Sequence, residues 1–440
     1  MLNIGLAREI ITPPCGAGLA GYFNHRPNRG YYDDISVRAM AIEKDGKYTG
    51  FLNLDLCSIG NPTFTEIRMG LRAEGISWAD DIIISATHTH TGTALRRANA
   101  NDPECYACAE TIQAAIRAMK RAVRSFQPSE MFYAEYDKNP YAFVRRYRMK
   151  DGSVVTNPTR CNPDIVGPET EFDQHVRIIV VKQFDRIAAI LVNLANHCDT
   201  VGGDIVSADW PGRMEAEIQY HLKSDIPVFA LTDASGNLNH FKVHEKIDQT
   251  NYDEACRIGR GYGQIVLGLL DKLEPVNEGE IEVSHNNHVV IPNRTISDAE
   301  YEEAKKYLED TKDVPATTGD LTSEGLANGD VTTIRHFKKM AIACREKSDK
   351  SRVVKITRIN LGKELAFISL PGEPFNAIAE AIRKKSPYRL NFVIELAQAQ
   401  FAYVPMHDCF ARGGYECTPR VNTVAPEASD ILIDAVVKNL

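Results

Sequence analysis

Residues 81–90 read Asp-Ile-Ile-Ile-Ser-Ala-Thr-His-Thr-His. The continuous β-branched run Ile82, Ile83, Ile84 predicts a strand buried on both faces. Two histidines follow it at i, i+2. In an extended chain they project to one side. A strand end carrying two imidazoles on one face suits a metal ion and a catalytic partner. A pair of solvated loop histidines explains the same spacing equally well.

Around this run the chain alternates strands and helices. Strands are expected at 37–43 and 49–56, joined by the turn Lys44-Asp45-Gly46-Lys47. Helices follow at 61–75 and 101–125, the second with Ala114, Ala115, Met119 and Val123 at helical spacing. Further on come strands at 176–183, 187–195 and 227–232. Helices are expected at 210–222 and 252–273, with Pro211 tolerated in the first turn. A strand pair is expected within 279–291. Two charged helical segments, 297–311 and 323–347, flank a Thr/Gly/Asp-rich loop at 313–322. This helical excursion reads as a cap or as a solvated surface feature. Strands at 353–360 and 365–370, a helix from about 374 and a strand near 391–398 complete the pattern. No internal repeat and no low-complexity linker is visible. Alternation mixed with tight hairpins predicts an α/β protein with mixed sheets packed together and flanked by helices.

The bulk numbers bound the function. The chain has 440 residues, 43% hydrophobic and 25% charged, the balance of a soluble globular protein. A net charge of -8 argues against nucleic acid or an anionic membrane as partner. No stretch is apolar enough to span a bilayer, and no stable membrane insertion is expected. The opening Met-Leu-Asn-Ile-Gly-Leu-Ala-Arg-Glu lacks a basic region followed by an apolar one, so a cytoplasmic location is expected. The ten cysteines are scattered and read as free thiols. Cys105 and Cys108 form a lone C-x-x-C inside a helix, where packing explains them better than metal or redox chemistry.

Other strand ends also carry polar residues. Ile190 to Thr200 delivers His197, followed by Cys198. Asp209 could accept a hydrogen bond from a metal-bound imidazole or simply cap the next helix. Thr232-Asp-Ala-Ser235-Gly-Asn237 has the composition of a tight turn. In Pro371-Gly-Glu373-Pro374, Glu373 stands at the mouth of a helix, where a carboxylate is favoured in any case. Gln400-Phe-Ala-Tyr403 and Tyr415-Glu416 place aromatics near further strand ends, usually packing positions.

Taken in order, these blocks resemble the catalytic domain of the neutral, non-lysosomal ceramidases. The matching stretches are Ile11-Thr-Pro-Pro, Leu19-Ala-Gly-Tyr22, Thr87-His-Thr-His90 and Asn196-His197. They continue with Ser207-Ala-Asp209-Trp, Thr232-Asp-Ala-Ser-Gly-Asn237, Pro371-Gly-Glu373 and Ala402-Tyr403-Val. The resemblance implies a single catalytic domain over residues 1–440, with a helical excursion at 297–347. It implies a zinc ion held by His88, His197, Glu373 and Tyr403. It also implies that His90, Arg145 and Tyr415 stabilise a tetrahedral intermediate, with Arg146 the alternative if the alignment slips by one. Ser235 aligns with the family's essential serine. Thr232 and Gly236 replace the family's Gly and Pro in that loop.

The chemistry implied is hydrolysis of an N-acyl amide by a water activated on zinc. A serine nucleophile needs a neighbouring base, and none is identifiable in the sequence. The family's signal sequence and C-terminal β-domain have no counterpart here, so the expected substrate is a small soluble or lipid-like amide. Other readings are a metal-dependent esterase or lactonase and a non-catalytic ligand-binding homologue. A phosphoesterase is disfavoured, because two-metal sites want bridging carboxylates.

Overall fold

A computed structural model of the chain describes residues 1–95, 102–317, 321–346 and 350–438. Three of its sheets are built on one four-strand plan. The first holds β1 (Asn3–Ile10), β2 (Ser36–Lys44), β3 (Lys47–Leu54) and β4 (Ile82–Ala86). The second holds β5 (Glu130–Tyr136), β6 (Val176–Gln183), β7 (Arg186–Leu194) and β8 (Val228–Thr232). The third holds β9 (Ile281–Pro292), β10 (Ser351–Leu361), β11 (Leu365–Ser369) and β12 (Leu390–Ile394). In each sheet these four strands lie side by side in chain order. The first three are antiparallel and the last pair is parallel. Two-residue strands extend the first two sheets at the far edge.

Each parallel pair needs a crossover, and a helix supplies it. These are α1 (Asn61–Ala73) before β4, α3 (Asp209–Leu222) before β8 and α8 (Asn376–Lys385) before β12. A second helix follows each last strand: α2 (Pro103–Arg124), α4 (Tyr252–Leu269) and α9 (Ala428–Val437). The chain is thus a threefold structural repeat that the sequence does not announce. What recurs is the topology, with few residues in common.

The three sheets turn their inner faces to a common core. Ile83 and Phe51 meet Phe229 and Leu231 of the second sheet and Phe367 and Phe392 of the third. The rings of Phe51 and Phe367 lie 4.8 Å apart, and those of Phe367 and Phe392 5.3 Å apart. The outer faces are closed by the helices. Ile82, Ile84 and Ala86 pack under α1 and α2. This explains the unbroken apolar run in β4, since both faces are covered. Burying one such isoleucine contributes about 1.5–3 kcal/mol.

The fold revises several sequence expectations. The stretch 279–291 is one long strand, bulged between Asn286 and Val289, and not a pair. Its partner β10 lies beyond the excursion, with Pro292 opposite Ser351. The excursion is therefore inserted at the tip of a hairpin. It comprises α5 (Asp298–Asp310), α6 (Ser323–Ala327) and α7 (Val331–Arg345). The expected helix over 323–347 breaks at Asn328-Gly329-Asp330. Gly329 has φ +77° there, and the Asp330 carboxylate accepts the Thr333 N–H at 2.7 Å. Strands β1 and β5 escaped the sequence reading. Residue 101 of the expected second helix, residues 318–320 of the loop and residue 347 lie outside the described residues. No described helix is long and apolar enough to cross a membrane.

Candidate metal centre

The site residues gather at the carboxyl ends of the parallel strands of all three repeats. His88 follows β4, His197 follows β7, Ser235 follows β8, Glu373 follows β11 and Tyr403 follows β12. His88 and His90 lie beyond β4, which ends at Ala86, so strand alternation does not set their directions. His88 instead takes φ +76°, held by its N–H donating to the Leu56 carbonyl at 2.8 Å. A left-handed histidine costs on the order of 1 kcal/mol or more and persists only where surrounding bonds hold it. The turn still brings the two Nε2 atoms to 3.4 Å.

The centre is a convergence of lone pairs. His88 Nδ1 faces the Cys57 carbonyl at 2.7 Å and His197 Nδ1 faces the Ser235 carbonyl at 3.4 Å. Carbonyls only accept, so each Nδ1 carries its hydrogen and turns Nε2 inward as a donor atom for a cation. The two Nε2 atoms are 2.9 Å apart. Glu373 Oε2 lies 3.3 Å from one and 3.6 Å from the other. Among the described residues this buried oxygen has no hydrogen-bond donor. The Tyr403 hydroxyl is 3.5 Å from His197 Nε2, and Glu373 and Tyr403 are direct neighbours in a two-residue parallel ladder. Two imidazole lone pairs, an undonated carboxylate oxygen and a phenol fit a divalent cation of zinc's kind.

The electrostatics agree with that fit. Burial opposes charge on His88, yet the Glu373 carboxylate and Cys57 hold its pKa well above the usual imidazole value. Burial and the charges of His88 and Arg145 push His197 well below it. Glu373 is held below the usual carboxylate range: burial raises it, but His88 and Tyr403 outweigh that. Burial lifts the Tyr403 phenol far above its ordinary value. The cluster is thus arranged to hold one positive charge at its centre. A second grouping, Cys57, His88 and His90, also has its donor atoms within 4.8 Å. Its thiol approaches His88 Nδ1 at 3.8 Å, the nitrogen already engaged by a carbonyl, so it suits a cation less well.

Around the centre the other expected residues divide. His90, Arg145 and Tyr415 line a cavity of about 200 Å³ that reaches His197 and Tyr403. His90 Nδ1 is paired with Asp199 at 3.1 Å, and Tyr22 donates to the same carboxylate oxygen at 2.8 Å. That pair raises the His90 pKa against burial and pulls Asp199 down to about 2. Arg145 donates to Glu416 and to the Gly236 carbonyl, both at 2.7 Å, and lies over the Tyr403 ring. Arg146 points elsewhere, to Glu169 and the other Glu416 oxygen. Ser235 is not on the cavity wall. Its hydroxyl and its N–H both donate to the buried Glu395, while its carbonyl backs His197. Burial pushes Glu395 up to about 8, against the pull of His88 and Ser235.

Local details explain these placements. A side chain at Gly236 would meet the Glu373 carbonyl at 2.3 Å, and the Gly236 N–H donates to the Pro374 carbonyl at 2.9 Å. Proline could satisfy neither condition, which accounts for glycine in this loop. Asp209 caps no imidazole. Its carboxylate accepts the N–H groups of Thr200, Val201 and Trp210, while Trp210 Nε1 donates to the His197 carbonyl. It thereby fixes the loop that carries His197. Cys198 is fully buried and all ten cysteines are free. The sequence reading missed Asp199, Glu395, Glu416 and Cys57. Only Asp199 left a trace, its i, i+2 spacing from His197.

The excursion is a cap. Leu321 to Glu324 line the cavity, Asn157 donates to Ser323 at 3.1 Å, and Phe337 of α7 packs its ring against Tyr415 and Phe23.

No protein-family model matches the chain, and no curated protein matches it. Among solved structures the fold is that of the neutral ceramidases. Neutral ceramidase from Pseudomonas aeruginosa superposes with a TM-score of 0.73 at 18% identity, covering 100% of this chain and 74% of that one. A ceramidase complexed with C2 superposes at 0.72 and 17% identity, covering 100% and 75%. At such identities the likeness establishes a shared fold.

Proposed function

We propose that the protein is a zinc-dependent hydrolase of small N-acyl amides. One observation carries this reading: His88 and His197 aim their Nε2 atoms at a Glu373 oxygen that no described group donates to, beside a cavity that His197 and Tyr403 line together with His90, Arg145 and Tyr415. His88, His197, Glu373 and Tyr403 would hold the ion. When bound, zinc makes water a nucleophile near neutral pH and polarises the substrate carbonyl. The chain's own residues do the rest. His90, charged through Asp199, presents Nε2–H towards the negative charge that develops on the carbonyl oxygen. Arg145 is anchored by Glu416 and adds a fixed cation there, and Tyr415 adds a phenol donor. Ser235 acts through its carbonyl on His197 and through Glu395, as a positioning residue.

The ceramidase likeness supports a hydrolase, and the cavity supports a compact substrate. About 200 Å³ is below the roughly 300–1,000 Å³ of drug-sized sites. The geometry serves an ester carbonyl as well as an amide. The test is turnover by zinc-loaded protein of short N-acyl amides, matched esters and a long-chain ceramide. Hydrolysis of the short amides is expected. Turnover confined to the ceramide refutes the small-substrate reading, and turnover confined to esters refutes the amidase.

A further inference from the structure

Arg160 lines the cavity from the loop after the short strand Val154–Thr156. Its guanidinium lies over the Phe241 ring, 5.2 Å from the centroid, and donates once to the Ile247 carbonyl. No carboxylate of the described residues pairs with it; Asp248 senses its charge only from a distance. The contrast with Arg145 is informative, since that cation is committed to Glu416 and to the Gly236 carbonyl. Of the lining carboxylates, Asp199 serves His90 and Tyr22, and Glu324, on the first turn of α6, is solvent-exposed and makes no ion pair with Arg160. A cation resting on an aromatic face, with spare N–H donors and no anion of its own, is built to receive a carboxylate.

We propose that Arg160 binds a carboxylate of the substrate, which makes that substrate a small amide bearing one anionic group, of the N-acyl amino acid kind. This rests on the hydrolase reading above. The acyl carbonyl would face the metal centre and the carboxylate would face Arg160. The cap residues Leu321–Glu324 would limit length.

The test uses the full zinc-loaded chain and paired probes with one scissile bond. These are N-butanoyl derivatives of glycine, alanine and 4-aminobutyrate, each against the corresponding amino-alcohol derivative. A charge-assisted pair predicts a preference for the acid of about tenfold to a hundredfold in kcat/KM. Arg160→Gln collapses that ratio through KM, and Arg160→Lys restores part of it. Equal turnover of acid and alcohol, or a ratio unchanged in Arg160→Gln, overturns the proposal. If no probe is cleaved, the hydrolase reading fails on its own. Calorimetric binding of the N-butanoyl acids to wild type and Arg160→Gln then decides recognition: binding lost in the variant supports it, and absent or equal binding overturns it.

Discussion

At the residue scale, His90 separates metal holding from catalysis. It faces the centre but lies outside the proposed ligand set. His90→Gln is therefore expected to lower kcat by about a hundredfold to a thousandfold with zinc content unchanged, the usual cost of one oxyanion donor. Metal analysis beside steady-state kinetics checks this, and loss of zinc would reassign His90 as a ligand. Glu395 makes a different prediction. Its carboxyl keeps its proton to about pH 8 in the fold, against 4.5 unperturbed. Between those values the folded state binds the extra proton, so this group erodes stability as pH rises. Glu395→Gln removes the erosion, and its denaturation midpoint is expected to fall less than wild type's from pH 5 to pH 8. Parallel curves would deny the burial of that charge. Residue-level legibility was uneven. His88 and His197 stood out because strand ends with imidazoles are unusual. Glu395 and Glu416 did not, because a buried carboxylate leaves no pattern until its partners, Ser235 and Arg145, are placed in space.

At the element scale, the cap is a graft on a hairpin. Pro292 and Ser351 are paired across β9 and β10, so the strands can close without residues 297–347. Replacing those residues by a short Gly/Ser turn is expected to leave the secondary structure intact and open the cavity to longer acyl chains. Rates on N-acyl amides of increasing chain length read this directly. An unchanged length limit would show that the cap does not set it. The sequence marked the excursion by its charge and its Thr/Gly/Asp loop. It could not show the excursion lying over Tyr415, since that contact joins residues about as far apart as Phe23, Phe337 and Tyr415. The bulge in β9 was equally hidden: Ser284-His285-Asn286-Asn287-His288 has the composition of a turn, and only its ladder with β10 reveals a continuous strand.

At the scale of the whole molecule, three repeats share one core and contribute to one site. No single repeat holds a complete ligand set, so the site exists only when the three sheets meet. Phe367, wholly buried between Phe51 and Phe392, ties that junction together. Phe367→Ala is expected to cost about 3–5 kcal/mol in denaturant unfolding. A loss below 1 kcal/mol would mean that the sheets do not depend on this contact. The repeat escaped the sequence reading because the units share the order of their strands but only scattered residues, such as the ladder pairs Arg38–Asn53 and Arg177–Asn193. The convergence of the three strand ends admits the most direct check of the account. A crystal soaked in zinc and measured at the zinc absorption edge should show one anomalous peak per chain, bonded to His88 Nε2, His197 Nε2, the Glu373 carboxylate and the Tyr403 oxygen. A cleft without such a peak, or a peak bound by other side chains, would contradict it.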